Sequence, residues 1–229
     1  MRYGALQRLL PRPLHRYVLD FEARIEDAVA RFSSRFSDDA PVLDAGAGES
    51  RHAPAFPRQR YVAVDLAVGD VCWNYSALDA VADLASLPFR DGTFAGALNV
   101  VTLEHVPNPQ EVVTELVRVL APGGRLLVIV PCSWELHQTP HDYYRYTRHG
   151  MSHLLARAGC RDIRIEAMGG YFRLLARRLL NGVQFFPPPL MPLALLFVAP
   201  AALLLPLLDG LDRDKIFTLG YVCTAQKPS

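Results

Sequence analysis

Residues Val42-Leu43-Asp44-Ala45-Gly46-Ala47-Gly48 form a short apolar run that ends in an acid and passes into a glycine-rich turn. Glycine has no Cβ, so such a turn lets main chain pass close to a ligand and sets Asp44 beside it. A second β-rich run, Tyr61-Val62-Ala63-Val64-Asp65, also ends in an acid. That acid follows the first by about 20 residues, the interval at which an α/β fold sets the carboxylate that takes ribose hydroxyls. A dinucleotide fingerprint needs a third glycine where this chain has Arg51, which counts against a nicotinamide cofactor.

Further blocks follow in order. They are Val81-Ala82-Asp83-Leu84 with Leu87-Pro88-Phe89, then Phe94-Ala95-Gly96-Ala97-Leu98-Asn99-Val100, Leu103-Glu104-His105-Val106, and Leu120-Ala121-Pro122-Gly123-Gly124-Arg125-Leu126. Across residues 40 to 168 the chain resembles the class I S-adenosylmethionine-dependent methyltransferases, in particular the type 11-like members. The resemblance implies an α/β, Rossmann-like fold: a seven-stranded sheet with helices on both faces. It also implies S-adenosylmethionine as cofactor, with main-chain groups of Ala45, Gly46, Ala47 and Gly48 facing its amino-acid part and Asp44 near its ammonium. Asp65 would take the two ribose hydroxyls and Leu66 would pack on adenine. Asp83, beside the Leu84 amide, would accept from the adenine amine, while Asn99 and Val100 would line the floor beneath the sulfonium. Ser50 stands where this family often has another glycine.

The predicted elements alternate as a doubly wound fold requires. A helical region within residues 1–38 precedes strands at 41–45, 60–65, near 78–82 and 94–100. A helix from Pro109 carries an apolar stripe of Val112, Val113, Leu116, Val119 and Leu120, and Pro122-Gly123-Gly124 is expected to end it before a strand over 125–130. Thr147 is expected to cap a helix through Ala158, followed by a strand at 161–167 and a last strand over Ile216–Ala225. The whole chain, 1–229, reads as one methyltransferase domain with an apolar insertion at 171–213, where the resemblance would lead one to expect a tight pair of strands.

That insertion has no charged residue from Leu179 to Leu208. It is long enough in principle to cross a bilayer. Pro192, Pro200 and Pro206, together with the need for the last strand to return to the sheet, favour two short helices bent at Pro200 instead. These would lie on a membrane surface, in a homodimer interface, or over the active site as a lid. Arg2, Arg8, Arg12 and Arg16, with Arg173, Arg177 and Arg178, supply the flanking positive charge that anionic headgroups would attract. Pro11, Arg12, Pro13 and Arg16 interrupt any signal-peptide core, so the expected location is cytoplasmic, with peripheral attachment to the inner face of the membrane.

Methyl transfer from a sulfonium is an in-line displacement, helped by alignment and exclusion of water, and needs a base only when the acceptor loses a proton. The segment after the fifth strand gathers His137, His141, Asp142, Tyr143, Tyr144, Arg145 and Tyr146. His141 is the first choice for a base, with Asp142 and His137 as further catalytic candidates; the tyrosines and Arg145 could equally pack against the next helix. The His-Asp-Tyr-Tyr-Arg-Tyr-Thr string from His141 to Thr147 resembles a polysaccharide and cell-envelope subgroup of the family, which implies a small-molecule or lipid-linked glycan acceptor and O-methylation.

Composition narrows the remaining choices. A net charge of +1 gives no concentrated basic surface for nucleic acid. Cys72, Cys132, Cys160 and Cys223 lack paired spacing and read as reduced core residues. No His/Asp/Glu spacing in the sequence indicates a metal site, and the glycine turn lacks the Gly-Lys-Ser/Thr ending of a P-loop. Besides the enzyme, a methyltransferase-fold binding protein without turnover and a nucleotide-dependent oxidoreductase remain as alternatives.

Overall fold

The computed structural model describes residues 12–18, 20–69 and 72–229. Arg2 and Arg8, invoked above for lipid attraction, lie outside the described residues. The described residues form two compact units, one comprising Asp27–Glu166 with Tyr221–Ser229 and the other Ala167–Gly220 with the described residues that precede Asp27.

The larger unit is built on a seven-stranded sheet of order β3-β2-β1-β4-β5-β7-β6. The strands are β1 (Pro41–Ala45), β2 (Arg60–Asp65), β3 (Ala80–Val81), β4 (Phe94–Val100), β5 (Leu120–Pro131), β6 (Arg161–Ala167) and β7 (Gly220–Gln226). β1, β2, β4 and β5 pair in parallel, with Asp44 opposite Ala63 and Leu98, and Val100 opposite Ile129. Parallel strands covered on both faces must be apolar throughout. Val42, Leu43, Val64 and Leu98 fit that rule, as does the run Leu126–Val130, all fully buried.

The strand order reverses at β1, which lies between β2 and β4. In an open α/β sheet the crevice outside the carboxyl ends at this reversal is where ligands bind. Asp44, Asp65 and Asn99 all lie at those ends.

The α-helices among the described residues are α1 (Arg12–Val18), α2 (Asp20–Ser33), α3 (Pro109–Val119), α4 (Arg148–Arg157), α5 (Tyr171–Gly182) and α6 (Met191–Leu204). α3 starts at a proline, whose missing N–H costs nothing there, and buries Val112, Val113, Leu116, Val117 and Val119. Each such side chain contributes about 1.5–3 kcal/mol. Thr147 caps α4 by accepting from the Gly150 amide at 3.0 Å.

Pro122-Gly123-Gly124 does not separate α3 from a new strand as the sequence suggested. It lies inside β5 as an irregularity, across which the pairing moves from Phe94–Leu120 to Gly96–Arg125. β7 starts at Gly220 and not at Ile216, because Ile216 and Phe217 are exposed.

In the smaller unit, α5 has no capping side chain of its own. Its free amides are satisfied from a distance. Asp209 accepts from Gly170 at 3.0 Å and from Arg173 at 3.2 Å, and Asp212 accepts from Tyr171 at 2.8 Å. The negative charges also suit the positive end of the helix. α6 runs unbroken through Pro200 and tightens into a 3-10 turn over Leu205–Leu211. The expected break at Pro200 is therefore not present.

Candidate active site

Gly46 has φ +86°, and a Cβ there would lie 2.3 Å from the Thr102 side chain. The turn therefore requires glycine for its backbone conformation and for its packing. Thr102 Oγ1 donates to the Gly46 carbonyl at 3.2 Å, and Asn99 Nδ2 donates to the Ala45 carbonyl at 2.8 Å. Asn99 is fully buried, so it braces the turn from below and does not present an open floor; Val100 beside it is also buried.

The turn's amides are already engaged. Those of Gly46 and Ala47 donate to the Val64 carbonyl at 2.7 and 3.1 Å, and that of Gly48 to Asp65 Oδ2 at 2.9 Å. The stretch from Ala45 to Gly48 thus offers close approach to a ligand without a row of free donors, because it continues the pairing of β1 with β2.

Asp65 also accepts from the Ala67 amide at 2.8 Å. Two amides fix the carboxylate, and a carboxylate with about four lone-pair sites retains acceptors for two hydroxyls. Leu66 next to it is exposed, an apolar face for a flat ring. Asp83 is exposed, with one oxygen on the Ala85 amide, while the Leu84 side chain is buried.

Asp44 is fully buried beneath the turn, with the Tyr61 hydroxyl donating to its Oδ2 and no partner on its Oδ1 among the described residues. Burial pushes its pKa up to about 7, against the Tyr61 hydrogen bond and with help from the Asp65 charge.

The methyltransferase-domain family matches residues 43–128, the stretch that carries these groups. Residues 43–128 thus carry a methyltransferase domain, and the chain is similar to the class I S-adenosylmethionine-dependent methyltransferases. It is similar to the ubiquinone/menaquinone biosynthesis C-methyltransferase UbiE of Ruegeria sp. (strain TM1040), 34% identical over 58% of this chain and 47% of that protein. Its fold resembles that of the Haemonchus contortus phosphoethanolamine N-methyltransferase 2 complex with S-adenosyl-L-methionine, at TM-score 0.58 and 15% identity, over 90% of this chain and 53% of that one. The cyclase SpnF shares the fold at TM-score 0.56 and 20% identity, over 90% and 80% of the two chains. The chain spans less than half the length of the curated relatives it matches. Those relatives include O-, N- and C-methyltransferases, so kinship does not select the acceptor atom.

The residues of the site fit S-adenosylmethionine on three observations: the Asp44 Oδ1 without a partner among the described residues, the oriented Asp65 carboxylate, and the exposed Leu66 beside it.

On the acceptor side the loop after β5 is organised by Asp142. Its carboxylate receives Arg145 at 2.7 and 2.9 Å and the His137 amide at 2.9 Å. The Arg145 hydrogen bonds hold its pKa well below the usual carboxylate range. Asp142 therefore clasps the loop, its two oxygens taken up by Arg145 and the His137 amide. His141 is exposed, with Nδ1 3.2 Å from the Tyr143 hydroxyl.

The His137 ring, with Nδ1 3.5 Å from Asp142 Oδ2, also stands beside Glu104 and His105. Its Nε2 is 3.8 Å from Glu104 Oε1, and that of His105 is 3.7 Å from the same oxygen. Glu104 is fully buried, and burial pushes its pKa up to about 8 against its own main-chain hydrogen bond and the Arg145 charge, with Asp142 reinforcing the rise. Just before it, Val101 holds φ +51°, a left-handed conformation costly for a β-branched residue and characteristic of functional edges.

Sequence reasoning missed Glu104, Thr102, Tyr61 and Trp73, whose ring would lie 3.3 Å from a Cβ at Gly48. The Leu-Glu-His-Val block was the visible signal for Glu104. Its burial and its neighbour His137 arise only from folding.

The cysteines are free: Cys160 and Cys223 are buried, Cys132 is half-buried and Cys72 is exposed, so Cys72 is not a core residue.

Proposed function

We propose that this chain transfers a methyl group from S-adenosylmethionine to a hydroxyl of a small-molecule or lipid-linked glycan acceptor. The observation that carries the reading is the Asp65 carboxylate, fixed by the Gly48 and Ala67 amides at the carboxyl ends of adjoining strands. When bound, S-adenosylmethionine supplies an electrophilic methyl on a sulfonium. The chain's own task is to align an acceptor and exclude water.

A hydroxyl acceptor must release its proton, which favours a site with an available imidazole. His141 provides one. Its exposed ring, next to the Tyr143 hydroxyl, is the proton acceptor in this reading.

The lipid-linked acceptor class rests on the insertion. Pro188–Leu211 is long and apolar enough to cross a membrane by length and composition, and only 11% of its most apolar window is buried. β7 rejoins the sheet beside β5 and β6, so a single crossing would separate it from its partners. The reading is that α6 lies against a membrane's inner face from a cytoplasmic location, with homodimer formation as its competitor. Arg173 and Arg177 do not serve this contact as first expected. Arg177 is paired with Glu22 at 2.8 and 3.1 Å and Arg173 with Asp20 at 3.0 Å, since these carboxylates sit beside them. Aliphatic burial drives the attachment.

S-adenosylmethionine with a labelled methyl, incubated with the protein and cell-envelope glycan and lipid extracts, tests the reading. Label should appear in an acceptor that gains the mass of one methylene. Cofactor binding without transfer to any extract would favour a binding protein, or another chemistry such as that of the cyclase that shares the fold.

A further inference from the structure

Glu104 is fully buried, yet neither of its carboxylate oxygens has a hydrogen-bond partner among the described residues, and His105 Nε2 is likewise buried and unpartnered. Buried polar groups normally have partners, and three orphans at one point mark a place where something binds. The atoms lie at a shared focus. One oxygen of Glu104 and one ring nitrogen each of His105 and His137 all fall within 4.8 Å of one another.

The imidazoles are oriented for metal ligation. His105 Nδ1 faces the His141 carbonyl, and His137 Nδ1 lies 3.0 Å from the Glu135 carbonyl. Carbonyls only accept, so each Nδ1 carries the proton and each Nε2 turns a bare lone pair toward Glu104. A ring N–H held by a backbone carbonyl, with the opposite nitrogen free, is the usual support of a metal-ligating histidine.

From this geometry we propose that Glu104, His105 and His137 bind one divalent transition-metal ion of the zinc class. Two neutral imidazoles and one carboxylate form a recognised three-ligand set for that ion, with a fourth position left for water or an acceptor oxygen. The neighbouring cation does not oppose it, because Arg145 is held bidentately by Asp142. The ligands come from the turn Leu103–His105 after β4 and from the loop after the adjoining β5. Sequence spacing concealed the set, since His137 is remote from Glu104 and His105 until β4 and β5 pair.

The inference does not depend on the methyl-transfer reading, because it is tested without S-adenosylmethionine. Metal-stripped full-length protein is titrated calorimetrically with Zn²⁺ against a weak competing chelator, and Co²⁺ is added in parallel to record its visible ligand-field bands. One ion per chain is expected, with intense Co²⁺ bands of a low-coordinate nitrogen/oxygen site. His137→Ala, which alters only an irregular loop, should weaken Zn²⁺ by at least about tenfold. Glu104→Gln should do the same and should retain the far-UV spectrum of the parent. The double variant His149→Ala/His153→Ala removes the histidine pair on one face of α4 and should leave affinity unchanged. Absence of stoichiometric Zn²⁺ and Co²⁺ binding to the parent overturns the proposal. So does unchanged affinity in His137→Ala, or loss of the ion in the α4 double variant.

Discussion

Thr102 closes over Gly46, its hydroxyl on the Gly46 carbonyl at 3.2 Å and its methyl where a Gly46 side chain would stand. The second residue after β4 thus locks the turn after β1, across the reversal in strand order.

Gly46→Ala should accordingly destabilise the fold by about 1–3 kcal/mol, the usual cost of a strained left-handed residue. Urea denaturation measures it. Adding Thr102→Ala should recover the steric part of the loss and leave the part due to φ. Full recovery would mean that backbone conformation at Gly46 is not constrained.

Asp44 predicts the pH dependence of stability. Its folded pKa of about 7 exceeds its ordinary 3.8, so the folded state keeps a proton that the unfolded state releases. Stability from this group is full below about pH 4 and declines as pH rises through 7, by a few kcal/mol at most. Asp44→Asn should flatten the fall between pH 5 and 7.5 in thermal melts. An equally steep fall in that variant would assign the titration to another group.

β1, β2, β4 and β6 occupy the expected spans; β1 and β4 were legible because burial on both faces demands continuous apolar residues, whereas β6 is an edge strand with alternating exposure. β7 was overextended because Ile216 and Phe217 look like strand residues yet point to solvent. Pro200 was read as a break, but α6 tolerates it, and the helix changes character only at Leu205. At the site, Asp65 and Gly48 were legible because motif spacing reports on main-chain geometry. Asp142 pairs with Arg145, three positions on, an arrangement that residue type alone could not reveal. Glu104 became visible only when β4 and β5 brought His137 alongside it.

His141→Ala should lower turnover by about 10²–10⁴-fold, as expected for loss of a general base, while S-adenosylmethionine affinity stays near that of the parent. Steady-state kinetics with the identified acceptor decide it. Unimpaired turnover would return His141 to a packing role.

The exposed side chains of α6 predict membrane binding. Leu196 and Phe197 are 66% and 73% exposed. Flotation with anionic liposomes should recover the parent protein in the lipid fraction, and Leu196→Glu/Phe197→Glu should leave it at the bottom. A parent that stays in the soluble fraction as a monomer would refute both the membrane and the dimer readings.

In the proposed function Asp65, fixed by the Gly48 and Ala67 amides, holds S-adenosylmethionine at the reversal in strand order. Isothermal titration of the parent and of Asp65→Ala with S-adenosylmethionine tests it most directly. Charge-assisted hydrogen bonds of about 1.5–3 kcal/mol predict saturable one-to-one binding by the parent and a weakening of about one to two orders of magnitude in the variant. No binding by the parent, or equal affinity in a folded Asp65→Ala, would contradict it.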